Sequence, residues 1–167
     1  MPSRNSTAAR AELVDAALTA SRVLVAVAAR SMAEHESEVS LPQYRALVIL
    51  ASRGPQRPVD LADALGIDPS TATRLCDRLV RKRLISRRRP GGDRRVVQLD
   101  LTLRGRRLVD EITRRRRAEV ERIVMRVPAT ERDDLVRSFQ ALARAAGEVP
   151  EDEWPRGWDH LTSHANG

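Results

Sequence analysis

The chain has 167 residues, of which 41% are hydrophobic and only 2% are aromatic, so its core must be built from aliphatic side chains. Its formal net charge is +7, but residues 148–167 hold five acids and one base, which leaves a charge of +11 on residues 1–147. A body this basic has nucleic acid or an anionic membrane surface as its usual partner.

Several classes of protein are excluded by what the sequence lacks. Cys76 is the only cysteine, so no intramolecular disulfide forms, and three scattered histidines do not make a metal-ligand cluster. There is no nucleophile–base pair and no phosphate-binding loop, so we expect neither an enzyme nor a bound cofactor. The longest apolar run near the N-terminus, residues 23–29, is too short for a membrane span and lacks the layout of a signal peptide. We therefore expect a cytoplasmic protein.

The first predicted helix is unusually apolar. Residues 1–7 are polar and expected to be disordered, whereas residues 8–37 lack Gly and Pro and carry apolar side chains at helical spacing. Within this helix, residues 23–29 are apolar almost all round, which is typical of a helix buried on more than one side. In so short a chain, one of those sides would face a partner subunit.

Three further helices have clear start signals. Ser40 and Gln43 have the spacing of a capping box and open the second helix, which Gly54-Pro55 ends. Pro58 opens a short third helix through residue 65, and Gly66 supplies the left-handed residue of the turn that follows. The sequence Asp68-Pro69 then caps a helix over residues 69–82.

The helix over residues 69–82 has two contrasting faces. Its apolar face is narrow and comprises Ala72, Leu75, Cys76 and Leu79. A DNA-recognition helix reads bases with its N-terminal residues, and short hydroxyl side chains let it lie close to the floor of the major groove. The outward face has this character, and its candidate DNA contacts are Ser70, Thr71, Thr73, Arg74 and Arg78. The alternative for Ser70 and Thr71 is that they are ordinary first-turn residues.

Residues 84–101 have the pattern of a two-stranded hairpin. Residues 84–89 form a short strand, residues 90–93 form a turn, and residues 94–101 alternate in character as a half-buried strand does. The outward face of that second strand would hold Val96, Gln98 and Asp100. Basic residues crowd the hairpin, and its candidate DNA-binding residues are Arg87, Arg89, Arg94 and Arg95. A solvated basic hairpin is the alternative, but the adjacent helix favours DNA contact.

The C-terminal part reads as two helices and a tail. Thr102 caps a long helix that Pro128 stops, and Thr130, with Asp133 at capping-box spacing, starts a last helix. Residues 148–167 form an acidic tail that we expect to be mobile. Docking of the tail through its two tryptophans, Trp154 and Trp158, is the alternative.

This order of elements resembles the MarR family of bacterial transcriptional regulators over roughly residues 8–147. A helix-turn-helix alone is a weak signal, whereas an Asp-Arg-Arg hairpin tip followed by a capped long helix is specific. The residues that carry the resemblance are Leu84-Ile85-Ser86-Arg87, Asp93-Arg94-Arg95, and Leu101-Thr102 with Gly105.

The resemblance implies a mainly α (α+β) fold, a winged helix-turn-helix with a helical dimerisation layer from the N- and C-terminal helices. Residues 8–147 would form a single domain. Within it, residues 41–102 would be the DNA-binding lobe, and the helices in residues 8–37 and 103–147 would form the dimerisation layer.

The resemblance also implies a homodimer that binds a palindromic DNA operator, usually as a repressor, and is released by a small molecule. In the family pattern, the hairpin acid, here Asp93, supports the tip, and the second arginine after it, here Arg95, reaches the minor groove. A phenolic or other aromatic inducer would bind between the two layers, near Met32, His35, Tyr44 and Arg45. For His35, a solvent-facing position at a helix end is the alternative.

Two residues deserve separate interpretation. Arg83 stands where the family usually has Gly as a left-handed C-cap, so it indicates either a different helix end or about 1 kcal/mol of backbone strain. Cys76 shares the apolar face of its helix with two leucines, so we assign it to the core and not to a redox sensor.

A second hypothesis for function also follows from the charge. The +11 on residues 1–147 would support a sequence-nonspecific, architectural DNA-binding protein without an inducer. Competition with unrelated duplex DNA separates the two hypotheses, because a nonspecific protein has no preferred site.

Overall fold

The computed structural model describes residues 4–89, 97–151, 153 and 154. The fold is mainly helical with one two-stranded antiparallel sheet, which confirms the predicted fold class. None of the described helices is long and apolar enough to cross a membrane. In chain order the elements are α1 (Arg4–Met32), α2 (Leu41–Arg53), α3 (Pro58–Leu65), α4 (Pro69–Arg81), β1 (Ile85–Arg88), β2 (Gln98–Leu101), α5 (Leu103–Val124) and α6 (Arg132–Ala145).

Helix α1 differs from its prediction at both ends. It begins at Arg4 and not at residue 8, because the intervening residues contain neither Gly nor Pro and the helix continues through them. The expected disorder of residues 1–7 therefore does not hold from Arg4 onwards. The helix ends at Met32, where the chain tightens into a 3₁₀ turn, Ala33–His35, that leads towards α2.

The predicted start signals of α2 and α4 are confirmed. The Ser40 N–H donates to Gln43 Oε1 at 3.2 Å, which closes the capping box. Asp68 caps α4 through its Oδ1, which accepts the Thr71 N–H at 2.9 Å. Between α3 and α4, Gly66 has the left-handed φ of +64° that the turn requires.

The core lies around α2. Its buried side chains, with Leu47 fully covered, pack against α3, the sheet and α5. The inward face predicted for α4 is confirmed, since Ala72, Leu75, Cys76 and Leu79 are all buried. Because the core holds this face of α4, the opposite face is fixed outward.

Strands β1 and β2 pair antiparallel, with Ile85 opposite Leu101. Asp100, which the alternation placed on an outward face, is only 2% exposed, so that prediction is wrong. The charge of the buried carboxylate is compensated by two guanidinium groups. Arg88 Nε lies 3.6 Å from Asp100 Oδ2, and Arg106 of α5 is attracted to the same acid.

Helix α4 ends in a Schellman motif whose left-handed residue is an arginine. The Leu84 N–H donates to the Leu79 carbonyl at 3.0 Å, and the Arg83 N–H donates to the Val80 carbonyl at 2.9 Å. Arg83 has a φ of +57° and is the one non-glycine residue with positive φ in the part of the chain that the structure describes. Of the two alternatives for Arg83, the structure therefore shows the strained one.

We expect Arg83→Gly to raise the free energy of unfolding by about 0.5–1 kcal/mol. Glycine removes about 1–2 kcal/mol of strain from the left-handed conformation. It also increases the conformational entropy of the unfolded chain, which offsets about 0.5–1 kcal/mol of that gain. Urea denaturation followed by circular dichroism measures the change. As a control, Arg78→Gly within the regular part of α4 should lower stability by about 1 kcal/mol. A less stable Arg83→Gly protein would contradict the left-handed conformation.

The start of α5 lies against the backbone that follows α4. The Thr102 N–H donates to the Leu84 carbonyl at 3.1 Å, and Thr102 Oγ1 accepts the Gly105 N–H, also at 3.1 Å. A Cβ atom at residue 105 would overlap the Leu84 carbonyl oxygen and lie 3.0 Å from its carbon. The glycine of the Leu-Thr-x-x-Gly motif is therefore required by this close approach of two backbone segments.

Helix α6 begins later than predicted. Thr130, the expected N-cap, lies within a 3₁₀ turn, Ala129–Glu131, and α6 starts at Arg132 without a side-chain cap. The Arg132 guanidinium instead donates to the carbonyls of Met125 at 3.0 Å and Val127 at 3.1 Å. These hydrogen bonds satisfy carbonyl groups just after α5 and not N–H groups at the start of α6. The predicted capping box is therefore wrong.

Candidate nucleic-acid interface

The outward face of α4 is exposed, as the sequence predicts. Ser70, Thr73, Arg74 and Arg78 are exposed, and Thr71 is half-buried. These side chains lie opposite the four buried residues of the helix, so they face solvent. An exposed helix of this kind fits the width of the DNA major groove, with hydroxyl and guanidinium groups towards the base edges.

Hydrogen bonds order the N-terminal end of this face. Asp68 Oδ1 accepts the Ser70 hydroxyl at 2.6 Å as well as the Thr71 N–H. Arg74 Nη2 in turn donates to Ser70 Oγ at 3.2 Å. The Ser70 hydroxyl, followed by Thr71, holds the pKa of the Asp68 carboxyl well below its usual range, so the cap stays ionised near neutral pH. The first turn of α4 is therefore preorganised before it meets a ligand.

Arg87 connects the hairpin to α4. Its Nη2 donates to Asp77 Oδ1 at 2.5 Å, and both side chains are nearly half exposed. An exposed pair of this kind contributes only about 0–1 kcal/mol to stability. The pair connects β1 to α4. The predicted DNA contact Arg87 thus has an ion-pair partner on α4.

The remaining predicted contacts follow β1 in the sequence. Arg89 is exposed immediately after β1. Asp93, Arg94 and Arg95 lie outside the described residues, so their roles in DNA binding stay predictions.

Sequence reasoning missed the role of Asp100. The residue lies opposite Ser86 in the sheet, and its buried carboxylate faces Arg88 and Arg106. Partial burial lowers the pKa of Arg106, and the nearby Asp100 raises it again. This cluster anchors the base of the hairpin to α5. The only signal in the sequence is an acid within an apolar strand, followed six residues later by an arginine.

Comparison with known proteins identifies the family of this interface. A model of the MarR family matches residues 39–97, which span α2 to the hairpin. The HTH-type transcriptional repressor MdtR of Bacillus subtilis (strain 168) is 29% identical over 119 residues, which cover 71% of this chain and 77% of MdtR. The chain carries a MarR-family domain over residues 39–97. The MarR-family chain is thus a DNA-binding transcriptional regulator, and the resemblance read from its sequence is confirmed.

Solved structures share the fold of this MarR-family protein. The crystal structure of RV1404 from Mycobacterium tuberculosis superposes with a TM-score of 0.77 at 43% identity, over 83% of this chain and 95% of RV1404. NadR in complex with 4-hydroxyphenylacetate superposes with a TM-score of 0.63 at 24% identity, over 78% of this chain and 89% of NadR. The second likeness is one of fold alone.

Two of the four predicted ligand-binding residues, Tyr44 and His35, contact one stretch of α5. Met32 and Tyr44 are buried, and the Tyr44 hydroxyl lies 3.2 Å from Thr113 Oγ1. Burial is the main cause that raises the pKa of Tyr44. Arg45 is half-buried, and its guanidinium holds the carboxylate of Glu148 through two hydrogen bonds, of which Nη1–Oε2 measures 3.0 Å.

His35 is buried, so the alternative of a solvent-facing position at a helix end is wrong. It is 7% exposed and lies between two carboxylates, with Nδ1 3.5 Å from Glu38 Oε1 and Nε2 3.6 Å from Glu111 Oε1. The 3₁₀ turn after α1 folds the imidazole inward, which residue spacing alone does not reveal. Its contact with Glu111 places His35 beside the α5 segment that Tyr44 also touches.

Cys76 lies in the core, as the apolar face of its helix predicts. Cys76 is 1% exposed, and burial raises the pKa of its thiol, so the thiolate required for redox sensing is disfavoured. Within residues 4–89, 97–151, 153 and 154, no group of three or more His, Cys, Asp or Glu side chains could hold a metal ion.

Proposed function

We propose that this MarR-family chain is a homodimeric, sequence-specific repressor that binds a palindromic operator and leaves it when a small molecule binds. The observation that carries the proposal is the pairing of an outward recognition helix with a wide apolar surface on α1 and α6. One copy of the chain then provides half of a DNA-reading surface, and the apolar surface joins two halves.

The apolar surface supports a dimer. All residues of α6 are at least partly exposed, and the first buried residue among residues 7–32 of α1 is Val27. A groove of about 640 Å³ between these helices is lined by Leu13, Leu24, Leu135, Phe139 and Leu142, among others. Leu13 is 71% exposed and Leu142 is 56% exposed. Monomers rarely expose so continuous an apolar patch, and a second copy with the same surface fits a twofold interface. Residues 8–37 and 103–147 would thus form the dimerisation layer.

The DNA-binding lobe, residues 41–102, would place α4 in the major groove and the hairpin tip beside it. Two such lobes related by a twofold axis bind half-sites about one helical turn, or 34–36 Å, apart. Dissociation constants of about 10⁻⁸–10⁻¹¹ M are usual for specific sites of this kind.

A phenolic or other aromatic ligand fits the buried Tyr44 and the adjacent Arg45. The ligand in the NadR structure, 4-hydroxyphenylacetate, is such a phenol with a carboxylate. The contacts of Tyr44 and His35 with α5 would let a ligand there alter the angle between the lobe and the dimerisation layer.

We expect Arg74→Ala to weaken binding to the specific site by roughly 10–100-fold, because a good side-chain contact to a base is worth about 1–3 kcal/mol. Binding to unrelated duplex should fall far less. Fluorescence anisotropy with both duplexes at one salt concentration measures the two effects. Arg22→Ala, which removes the same charge from the exposed face of α1, is the matched control.

The competing hypothesis is a nonspecific architectural DNA-binding protein. It predicts that Arg74→Ala weakens binding to both duplexes equally, because only phosphate contacts would be lost. Equal loss on both duplexes would therefore contradict sequence-specific reading by α4.

A further inference from the structure

The segment that follows α6 lies across two other helices. The backbone carbonyl of Gly147 accepts a hydrogen bond from Arg53 Nη2 at 3.0 Å. The next residue, Glu148, receives two hydrogen bonds from Arg45. Arg45 and Arg53 are eight residues apart on α2, so both arginines lie on one face of that helix. The chain thus follows a basic edge of α2 directly after α6 ends.

The same segment continues onto α5. Glu151 Oε2 lies 3.4 Å from Arg117 Nη2. Glu151 also contributes to the raised pKa of Tyr44, after the larger effect of burial, so its carboxylate lies near the phenol. Residues 147–151, 153 and 154, which we name the C-terminal strap, therefore connect α2 to α5.

Trp154 completes the strap. The indole is half-buried and packs against the main hydrophobic core, while its Nε1 donates to the Val149 carbonyl at 3.2 Å. This hydrogen bond satisfies the indole donor and turns the segment back on itself, which presents the ring to the core. Trp154 is one of only four aromatic residues in the chain, two Trp, one Tyr and one Phe.

We propose that the C-terminal strap is an intramolecular ligand of the α2–α5 surface. Glu148 provides a carboxylate for Arg45, and Trp154 provides a planar aromatic ring for the adjacent core surface. The strap itself thus shows what chemistry this surface accepts, namely an aromatic group joined to an anion. An aromatic carboxylate or sulfonate from solution competes with the strap for Arg45 and for the position of the indole.

The competition has a physical basis in the covalent link. A tethered group acts at a high effective concentration, of order millimolar for short flexible links, so it lowers the apparent affinity of a free competitor. Its surface ion pairs are individually weak and are screened by salt, whereas the apolar contact of the half-buried indole is not screened. The strap would therefore set the ligand concentration at which the protein responds. This last consequence rests on the proposed ligand response, whereas docking of the strap does not.

The first test follows Trp154 itself and needs neither DNA nor effector. In a Trp158→Phe protein, Trp154 is the only tryptophan, and its emission should be blue-shifted and partly protected from iodide and acrylamide. Adding Glu148→Gln should shift the emission to the red and raise the acrylamide quenching constant about twofold, since a strap held by several weak contacts depends on each. The matched control is Glu153→Gln, which removes the same charge from an exposed strap residue. Full quenching in the parent protein, or no response to Glu148→Gln, would overturn the proposal.

The second test measures the competition with 8-anilinonaphthalene-1-sulfonate as the probe. Trp154→Ala should bind this aromatic anion about tenfold more tightly than the wild-type protein, as expected if the strap is docked about 90% of the time. Arg45→Gln in the same background should abolish the gain. Equal affinity of wild type and Trp154→Ala, or a gain that persists in Arg45→Gln, would overturn the proposal. Since neither test uses an operator or inducer, they can succeed even if the proposed repressor function fails.

Discussion

The double substitution Leu13→Asp/Leu142→Asp should convert the protein from a dimer into a monomer of 18.7 kDa. Both leucines line the groove between α1 and α6 and are more than half exposed in a single chain. A partner that covers them would have to bury two unpaired carboxylates per chain, which costs several kcal/mol for each. Sedimentation equilibrium measures the change in mass.

The same variant should lose specific DNA binding. With one half-site per molecule, its affinity should approach the nonspecific range of about 10⁻⁴–10⁻⁶ M, at least 100-fold weaker than a specific dimer. The control is Leu41→Asp/Val59→Asp. These two apolar side chains lie outside the groove and are 52% and 46% exposed, so the control should have the same mass in solution as the wild-type protein. An intact dimer of Leu13→Asp/Leu142→Asp would place the interface elsewhere.

Gly105→Ala should be the most destabilising single methyl addition considered for this fold, at about 3 kcal/mol. Its Cβ would overlap a backbone oxygen, that of Leu84, which cannot rotate away as a side chain can. The start of α5 must then move away from the base of the hairpin. Urea denaturation measures the loss of stability.

Gly66→Ala is the matched control for Gly105→Ala. Gly66 has open space around its Cβ position but a φ of +64°, so alanine there should cost only about 1–2 kcal/mol of left-handed strain. If Gly105→Ala cost no more than Gly66→Ala, the close approach of α5 to Leu84 would not hold in solution.

Local signals in the sequence correctly predicted the starts of α2, α4 and α5, but not those of α1 and α6. The caps Ser40, Asp68 and Thr102 act through groups two or three residues away, so their spacing alone indicates the structure. The buried face of α4 was also predictable, because its apolar residues recur at helical spacing. For Arg83, the departure from the family pattern left a different helix end and backbone strain as alternatives, and the structure shows the strained conformation.

Contacts between distant parts of the chain were not predictable in this way. The charge of the buried Asp100 is compensated by Arg88 and Arg106 from a strand and a helix, and alternation along β2 contains no sign of them. His35 turns inward because of a 3₁₀ turn that side-chain spacing does not specify. Arg45 was predicted as a ligand-binding residue, but only the fold reveals that Glu148, 103 residues later, holds it. Such contacts depend on how elements pack and not on local pattern.

The measurement that tests the central claim most directly is the selection of bound sequences from random duplex DNA by the purified protein. If a twofold-symmetric dimer binds DNA through its two outward α4 helices, the selected sequences should contain an inverted repeat. The two half-sites should be centred about one helical turn apart. Enrichment should be lost with Arg74→Ala and with Leu13→Asp/Leu142→Asp. An unenriched pool, or a single half-site without symmetry, would contradict a dimeric, sequence-specific regulator.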